Sequence, residues 1–330
     1  MRCEVSALYE ERAHRPWVLL PVAPMGVSVV TGGARGIGRA VALALGAAGH
    51  AVCVNDTGVA LDGRGPDPGP AEEVAAEIRT AGGRAMASAL DARDRALAER
   101  LVSDVGSWAG EHPTVLVHSA GTLRDAMLHK ASDDDWNEVL GSHLSVAIEV
   151  TRAMAPALRA ERFGRIVYVG GAAGLVGSVG QAPYAVAKAG LFGLTRATAL
   201  EMAGRDVCVN YVAPFAFTRM TRSIPPVNEQ LRTYLRDAPL ATPEDVAPLI
   251  SWLCSPAASG VSGQILGGRG AEVCIWSQPR PLAGAVDADG WTTDRLIASG
   301  WPQLEPHLVP LESEFDLFGG PPTAVSGRQR

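Results

Sequence analysis

The 330-residue sequence has few of the features that mark metal proteins, disulfide-rich secreted proteins or membrane proteins. Its five cysteines form no CxxC pair and no cluster with histidine, and their number is odd. This pattern argues against a zinc site and favours a reducing compartment, so we predict a cytoplasmic protein without a bound metal. No stretch reaches the roughly 18 consecutive apolar residues that a membrane helix needs, which predicts no membrane span.

An excess of positive charge is also missing. The formal net charge is −6 at pH 7, whereas nucleic-acid-binding proteins carry basic patches, so we predict no nucleic-acid partner. Hydrophobic residues make up 47% of the chain, enough to form a sizeable core. The length is compatible with one large domain or two small ones.

The two ends of the sequence fall outside its regular pattern. Residues 1–25 contain a short apolar stretch interrupted by proline, which is too short for a secretory signal peptide. We predict a flexible N-terminal extension over residues 1–25, a main domain over 26–278 and a C-terminal tail over 279–330. The tail is rich in proline, glycine and tryptophan. We expect it to pack on the core or on a partner subunit, with Trp291 and Trp301 buried there.

Short apolar runs alternate with segments of helical periodicity through the main domain. This alternation predicts an α/β fold with a Rossmann-like, doubly wound parallel sheet of about seven strands in a three-layer α/β/α arrangement. Residues 218–242 are long and irregular, and we expect them to form a mobile substrate lid. The predicted strands are 27–31, 51–55, 85–90, 114–118, 165–169, 207–212 and a seventh that contains 264–266. The predicted helices are 36–48, 72–80, 92–108, 133–159, 181–202 and 243–254.

A glycine-rich segment lies between the first predicted strand and the first predicted helix. Residues 31–38 have the sequence TGGARGIG. Glycines at this position let a pyrophosphate approach the backbone at the positive end of the helix. The spacing is GxxxGxG and is weakly specific alone, but the strand before it and the helix after it indicate a dinucleotide-binding loop. Its candidate cofactor contacts are Gly32, Arg35, Gly36, Ile37 and Gly38.

Two aspartates end the next predicted strands. A carboxylate at Asp56 can accept both hydroxyls of an adenosine ribose and would repel a 2′-phosphate, which predicts NAD rather than NADP. Arg35 argues mildly in the other direction, because a basic residue in the glycine loop can meet that phosphate. Asp91, which ends the third predicted strand, is a candidate contact for adenine.

A YxxxK pattern follows the fifth predicted strand. Tyr184 and Lys188 are four residues apart on a predicted helix and therefore lie on one face. The charge of Lys188 can lower the pKa of the Tyr184 phenol. A phenolate near neutral pH can take the proton of an alcohol while hydride leaves for a nicotinamide. The pattern therefore predicts interconversion of a secondary alcohol and a ketone.

Together with the glycine loop and the segment 210–214, NYVAP, this pattern resembles the short-chain dehydrogenase/reductase family over residues 27–275. The resemblance implies that Tyr184 is the catalytic acid/base and that Lys188 tunes it and holds the nicotinamide ribose. It also implies that His143 continues a proton relay. Further cofactor contacts implied by the resemblance are Ala120, Gly121, Pro214 and Thr218.

A narrower resemblance is carried by residues 54–58, 123–125, 143–144, 180–182, 219–221 and 290–293. These segments are similar to the (3R)-hydroxyacyl-CoA dehydrogenase unit of peroxisomal multifunctional β-oxidation enzymes and to its bacterial single-domain relatives. The resemblance implies an acyl-CoA-like substrate with a fatty or steroid acyl part. It also implies a homodimer, a homotetramer or a hetero-oligomer with a homologous subunit, packed through helices 133–159 and 181–202.

One departure from the family concerns the substrate oxygen. The family has a serine thirteen residues before the tyrosine, and here that position is Gly171. Either Ser178 or a backbone amide near Gly171 binds the oxygen instead, or the chain is a weakly active or inactive subunit paired with an active homologue. A third alternative, an NADPH-dependent 3-oxoacyl-thioester reductase, is disfavoured by Asp56.

Overall fold

A computed structural model describes residues 26–317 and 320–325. The predicted N-terminal extension, 1–25, lies outside these residues. The main chain forms one eight-stranded sheet in the order β3-β2-β1-β4-β5-β6-β7-β8, with helices on both faces. The strands are β1 Val27–Thr31, β2 Ala51–Asn55, β3 Arg84–Ser88, β4 Pro113–His118, β5 Gly164–Val169, β6 Val207–Phe215, β7 Ile265–Arg269 and β8 Glu272–Ile275.

The helices cover the sheet in the two outer layers and form the surroundings of the strand ends. In chain order they are α1 Gly36–Ala47, α2 Gly69–Thr80, α3 Arg95–Ala109, α4 Asp133–Leu140, α5 Val146–Glu161, α6 Ala173–Val176, α7 Ala182–Glu201, α8 Arg219–Arg222, α9 Glu229–Asp237, α10 Pro243–Leu253, α11 Thr293–Arg295 and α12 Trp301–Leu304. None of the helices within residues 26–317 and 320–325 has the length and apolar character to cross a bilayer.

The central strands are buried on both faces, which explains their continuous apolar runs. All five residues of β1 and all six of β5 are buried. Parallel strands covered by helices on both sides need such runs, because neither face meets water. The predicted α/β architecture is therefore confirmed, and the seven predicted strands correspond to β1–β7.

The eighth strand was not predicted. β8 runs antiparallel to β7, and three of its four residues are exposed. An exposed edge strand of four residues leaves little periodic signal in a sequence. Its effect is to turn the chain back across the sheet edge, where the tail begins.

The long helix predicted over residues 133–159 differs from the observed one. α4 and α5 are joined by a π-helical turn at Gly141–Ser145, and α5 continues through Pro156 to Glu161. The single predicted helix is thus interrupted at Gly141–Ser145 and not at the proline. The wider turn directs His143 inward, where it is buried.

The segment predicted to be irregular, 218–242, contains α8, α9 and a 3₁₀ turn at Ala238–Leu240. The tail crosses this region. Phe315 contacts Tyr234 of α9 edge to face with 4.9 Å between ring centroids, and the Gln230 amide donates to Asp316 at 2.7 Å. Trp291 and Trp301 remain 39% and 43% exposed, so their expected burial on the core of the same chain is wrong.

Candidate active site

A single cleft opens at the carboxyl ends of β1, β2, β4 and β5. β1 lies between β2 and β4 at the point where the strand order reverses, which is where open α/β sheets bind ligands. Every residue predicted as catalytic or as a cofactor contact lines this cleft except Gly38, although these residues are far apart in the sequence. Ser178 and Gly171, the suggested positions of the oxygen donor, are not in its lining. The lining includes Gly32, Arg35, Gly36, Ile37, Asp56, Asp91, Ala120, Gly121, His143, Tyr184, Lys188, Pro214 and Thr218.

Two glycines of the loop are required by close backbone contacts. Gly32 has φ +68°, and a Cβ there would lie 2.4 Å from the Ala120 nitrogen. Gly38 lies inside α1, where a Cβ would come within 2.0 Å of the Gly32 carbonyl oxygen. Gly38 therefore allows the start of α1 to pack closely against the loop backbone, and it does not line the cleft. The loop keeps an open backbone cradle at the start of α1 that fits a dinucleotide pyrophosphate.

The adenosine side is organised around Asp56. Its two carboxylate oxygens accept from the backbone N–H groups of Ala34 at 3.0 Å and Gly58 at 2.8 Å. The Arg35 guanidinium donates to the carbonyls of Gly58 and Val59, both at 3.1 Å. The Asp56 carboxylate thus lies at the cleft wall with both oxygens held by backbone N–H groups. Arg35 is held by the loop that follows Asp56.

A second arginine at this side was not predicted. Arg219 lines the cleft and donates to the Val59 carbonyl at 3.3 Å. Burial lowers the pKa of Arg219, and the nearby charge of Arg35 lowers it further. The sequence signal for Arg219 was its place in the segment 219–221, but nothing local indicated that it would meet Arg35.

Asp91 also lines the cleft, but its carboxylate is already paired. Arg93 donates to Asp91 at 2.6 Å and to Glu138 at 2.8 Å. The Arg93 contacts hold the pKa of Asp91 below its usual value despite partial burial. An adenine contact at Asp91 remains a prediction, and any such contact would share the carboxylate with Arg93.

Thr218 and Pro214 line the end of the cleft where we expect the nicotinamide to bind. The Thr218 hydroxyl caps α8 by accepting from the Met220 N–H at 3.2 Å. A Cβ added at Gly36 would lie 3.5 Å from the Thr218 methyl group. Thr218 therefore lies directly across from the glycine loop, so the segment 218–242 begins at this cleft. Its role as a mobile lid stays a prediction.

Tyr184 and Lys188 lie on one face of α7 and both line the cleft. Lys188 is buried; its Nζ donates to the Val169 carbonyl at 2.7 Å and lies 5.4 Å from the Tyr184 ring centroid. Burial lowers the pKa of Lys188 to about 7. Burial also raises the pKa of Tyr184, and the charge of Glu314 raises it further. The lowering of the Tyr184 pKa by the charge of Lys188 stays a prediction, and burial acts against it.

His143 contacts Tyr184 edge to face at 5.2 Å between ring centroids. Its Nε2 is 2.8 Å from the Thr122 carbonyl, which can only accept, so Nε2 carries the proton. Burial and the charge of Lys188 hold the pKa of His143 well below its usual value. The ring is therefore neutral, with Nδ1 as a buried acceptor that has no hydrogen-bond partner among the described residues. The proton relay through His143 stays a prediction.

The position of the missing serine is directly beside the tyrosine hydroxyl. A Cβ built on Gly171 would lie 3.1 Å from the Tyr184 oxygen. The Gly171 N–H donates to the Tyr211 hydroxyl at 2.9 Å, and that hydroxyl donates to the Gly171 carbonyl at 2.8 Å. The Gly171 amide is therefore not available as a simple replacement donor. Tyr211 was part of the NYVAP segment, but this role was not predicted.

The other suggested donor, Ser178, is partly buried just after α6 and is not among the residues that line the cleft. The tail brings Glu314 near it: burial raises the pKa of Glu314, and the Ser178 hydroxyl acts in the opposite direction. This approach of the tail was not predicted, because it depends on how the tail folds back over the domain.

No group of three or more histidine, cysteine, aspartate or glutamate side chains that could hold a metal ion occurs in the described part of the chain. The polar groups of the cleft instead suit a phosphate-rich organic cofactor and an oxygen-bearing substrate. The candidate site therefore consists of a dinucleotide cradle on one side and a tyrosine–lysine pair on the other.

Comparisons with known proteins agree with this arrangement. Residues 32–267 match the protein family described as enoyl-(acyl carrier protein) reductase. Hydroxyacyl-CoA dehydrogenase ChsB1 of Mycobacterium tuberculosis is 37% identical over 283 residues, which cover 83% of this chain and 86% of that protein. Peroxisomal multifunctional enzyme type 2 of Mus musculus is 39% identical over 228 residues, which cover 69% of this chain and 29% of that protein.

A solved structure shows the same fold. The crystal structure of a short chain dehydrogenase from Mycobacterium avium aligns with a TM-score of 0.74 and 32% sequence identity. The alignment covers 89% of this chain and 99% of that one. The likeness therefore extends well beyond the cofactor-binding strands.

Proposed function

The chain belongs to the short-chain dehydrogenase/reductase family, as its motifs indicated, and from this premise we propose that it is an NAD-dependent 3-hydroxyacyl-CoA dehydrogenase. The observation that carries the proposal is the convergence of Tyr184 and Lys188 on the cleft that the glycine loop lines. Family membership implies an oxidoreductase with a nicotinamide cofactor. The choice of NAD, the acyl-CoA substrate and the catalytic roles are the proposal.

In the proposed reaction a 3-hydroxyacyl thioester is oxidised to a 3-oxoacyl thioester. Bound NAD supplies the hydride acceptor. Tyr184 takes the hydroxyl proton, and Lys188, already beside the Tyr184 ring, binds the nicotinamide ribose and adds positive charge when protonated. Because burial raises the pKa of Tyr184, the phenol has to lose its proton to a neighbouring group or to solvent before it can act as a base.

The preference for NAD rests on Asp56. A carboxylate at the end of β2 would accept the ribose hydroxyls and repel a 2′-phosphate, whereas Arg35 is held by the carbonyls of Gly58 and Val59. We expect tighter binding of NADH than of NADPH in fluorescence titrations. Asp56→Ser should reduce the difference between the affinities for NADH and NADPH. Equal affinity of the wild-type protein for both, or a preference for NADPH, would contradict the assignment and favour a role for Arg35 and Arg219 in phosphate binding.

The substrate class is supported by the relatives and by a second cavity next to the cleft. A second cavity of about 540 Å³ lies between α9 and the tail, and it shares Ala216 with the cofactor cleft. The test is turnover of the purified chain with NAD and a panel of 3-hydroxyacyl-CoA thioesters, acyl-carrier thioesters and simple secondary alcohols. Oxidation of the last two classes without the first would contradict the acyl-CoA assignment.

A second candidate function is favoured by Gly171. A chain that lacks the serine of its family can serve as a weakly active or inactive subunit that supports a homologous active one. We propose that α4, α5 and α7 form the assembly surface, where no atom lies within 4 Å of a Cβ added at Gly193. Light scattering of the purified chain tests this assembly, and a monomer at micromolar concentration would contradict it. Turnover by the chain alone would exclude the inactive-subunit role.

A further inference from the structure

The end of the cleft where we expect adenine carries a carboxylate that a neighbouring residue already occupies. Asp91 follows β3 by three residues and lines the cleft together with Leu90, Ala92 and Arg93. Asn55, at the end of β2, holds this segment in place, because its amide donates to the Leu90 carbonyl at 3.0 Å. The Asp91 carboxylate therefore has a defined position beside the space for the base.

Arg93 takes up the hydrogen-bonding capacity of the Asp91 carboxylate. Its backbone N–H and its Nε donate to Oδ1 at 3.1 and 3.0 Å. Its Nε and Nη2 donate to Oδ2 at 2.9 and 2.6 Å. An ionised carboxylate has about four lone-pair sites, two on each oxygen, so these four contacts occupy them. Although burial raises the pKa of Asp91, its contacts with Arg93 bring that pKa below the usual value, so the group stays an acceptor without a proton of its own.

The Arg93 side chain is also fixed from a second element. Its Nη1 donates to the Glu138 carboxylate of α4 at 2.8 Å, and the Glu138 side chain is only 14% exposed. A Cβ added at Gly141 would lie 3.1 Å from the Arg93 Cδ, so the arginine stem passes closely over the π-helical turn. Nε, Nη1 and Nη2 thus each have an acceptor, and the planar guanidinium is held between two carboxylates.

Apolar side chains also line this end of the cleft, among them Val59, Leu90 and Ala92. A purine ring is stabilised by burial against such groups in proportion to the apolar surface removed from water. That contribution does not depend on an amino group at C6 of the purine. The 6-amino group is a hydrogen-bond donor, and Asp91 is the acceptor that the sequence pattern assigned to the base. With Asp91 occupied, the apolar contacts remain and that polar contact is lost.

We propose that Arg93 is a specificity-determining residue that prevents Asp91 from binding the 6-amino group of adenine. The site then binds a nicotinamide dinucleotide whose purine lacks this group about as tightly as it binds NAD. This inference rests on the proposed function, but only on its binding of a nicotinamide dinucleotide. It replaces the predicted contact between Asp91 and adenine by an ion pair that closes this end of the cleft.

The experiment compares NADH with the reduced dinucleotide in which purine replaces adenine, a change that removes only the 6-amino group. Fluorescence titration of the full-length protein gives both dissociation constants. We expect the wild type to bind the two within about 3-fold, which is less than the contribution of one hydrogen bond to a charged group. A larger preference of the wild type for NADH would overturn the proposal, because the carboxylate would then be accepting the amino group.

Two substitutions of Arg93 should create the missing preference. Arg93→Met removes the guanidinium, so the freed carboxylate should accept the 6-amino group and NADH should bind about 10-fold more tightly than the purine analogue. Arg93→Lys keeps the charge but cannot form the two-pronged contact, and its preference should lie between those of the wild type and Arg93→Met. An unchanged ratio in Arg93→Met would overturn the proposal.

Arg95→Met is the matched control. Arg95 is 40% exposed, against 38% for Arg93, and it also pairs with two carboxylates, those of Glu99 and Glu149. It does not line the cleft, so Arg95→Met should keep the wild-type ratio. A preference for NADH in this control as large as that in Arg93→Met would overturn the proposal, since the effect would not be specific to Arg93.

A double variant identifies the acceptor. Asp91→Ala combined with Arg93→Met should lose the preference that Arg93→Met gains and return to within about 3-fold. If the preference for NADH persists, another group accepts the amino group and the proposal is wrong.

Failure of the proposed function gives a different result, because these ratios are measured by binding and need no turnover. Tighter binding of NADPH than of NADH would contradict the choice of NAD. The same purine comparison would then be made with the 2′-phosphorylated pair, since that phosphate lies on the ribose and not on the base. Absence of binding by NADH and NADPH alike would overturn both proposals together.

Discussion

The cofactor side and the substrate side of the cleft are built in different ways. The cofactor side is made by short segments at the ends of neighbouring strands, principally the loop 31–38 after β1, Asp56 after β2 and residues 119–121 after β4. The expected substrate side combines the start of α7 with a neighbouring cavity that α9 and the tail enclose, where Tyr234 contacts Phe315. These segments come from distant parts of the sequence.

The difference has a physical cause. In a parallel sheet the carboxyl ends of neighbouring strands share one edge, so a motif directly after a strand is placed by the fold itself. The substrate side depends on where a lid and a tail dock, and this is set by side-chain contacts such as Phe315 on Tyr234. Substitutions on the two sides should therefore separate cofactor binding from turnover.

The largest expected effect is that of Tyr184→Phe. Loss of the phenol removes the acid/base, for which we expect a fall in kcat of roughly 10³-fold, within the range of general acid–base catalysis. NADH affinity should stay within a few-fold of wild type, because the ring remains in place. Steady-state kinetics and fluorescence titration measure the two quantities. Undiminished turnover, in whatever assembly is active, would remove this chain from the chemistry and favour the supporting-subunit role.

Gly38→Ala should have the opposite effect to Tyr184→Phe, because it should weaken NADH binding and not the chemical step. A methyl group there would lie 2.0 Å from the Gly32 carbonyl oxygen, so the loop must move and NADH affinity should fall by about 100-fold, close to 3 kcal/mol. Gly106→Ala in α3 is the matched control, since its nearest atom would be 3.7 Å away. The control should keep full affinity and gain about 0.5–1 kcal/mol of stability. Full NADH affinity in Gly38→Ala would disprove the close packing of the loop.

Lys188→Met should affect stability in a manner that depends on pH. Burial lowers the pKa of Lys188 from 10.5 to about 7, so between these values the unfolded chain binds a proton that the folded chain does not. The free-energy cost of burying the amine is therefore complete below pH 7 and declines as the pH rises towards 10. For the variant without cofactor we expect the free energy of unfolding at pH 7 to rise by roughly 2 kcal/mol. This figure already allows for the lost hydrogen bond to Val169.

Urea unfolding at pH 7 and pH 9.5 would measure this gain in the free energy of unfolding. The gain should be smaller at pH 9.5. Lys130→Met is the control, because Lys130 is exposed and is the other lysine of the chain. A gain that is equal at both pH values would mean that Lys188 remains charged in the folded protein throughout the range. That result would place its ammonium in contact with water.

The sequence predicted the sheet and the cofactor side well because both depend on local patterns. β1 and β2 have the predicted bounds, and the glycine loop and Asp56 lie together at their ends. The inward turn of His143 was not foreseen, since a π-helical turn at Gly141–Ser145 has no periodic signature. Arg219 and Tyr211 were also missed as site residues, because each acquires its role through contacts with distant segments.

The docking of the tail also has a consequence for how the protein is made. Synthesis proceeds from the N-terminus, so the entire sheet and the cofactor cradle leave the ribosome before Ser313–Asp316 does. The chain at that stage has the whole cleft that contains Tyr184, but the tail wall of the second cavity is still missing. Protease cleavage in the exposed stretch at Leu308–Leu311 would return a finished molecule to the same condition. We expect such a nicked protein to keep its sheet and cleft and to lose the tail residues that line the second cavity.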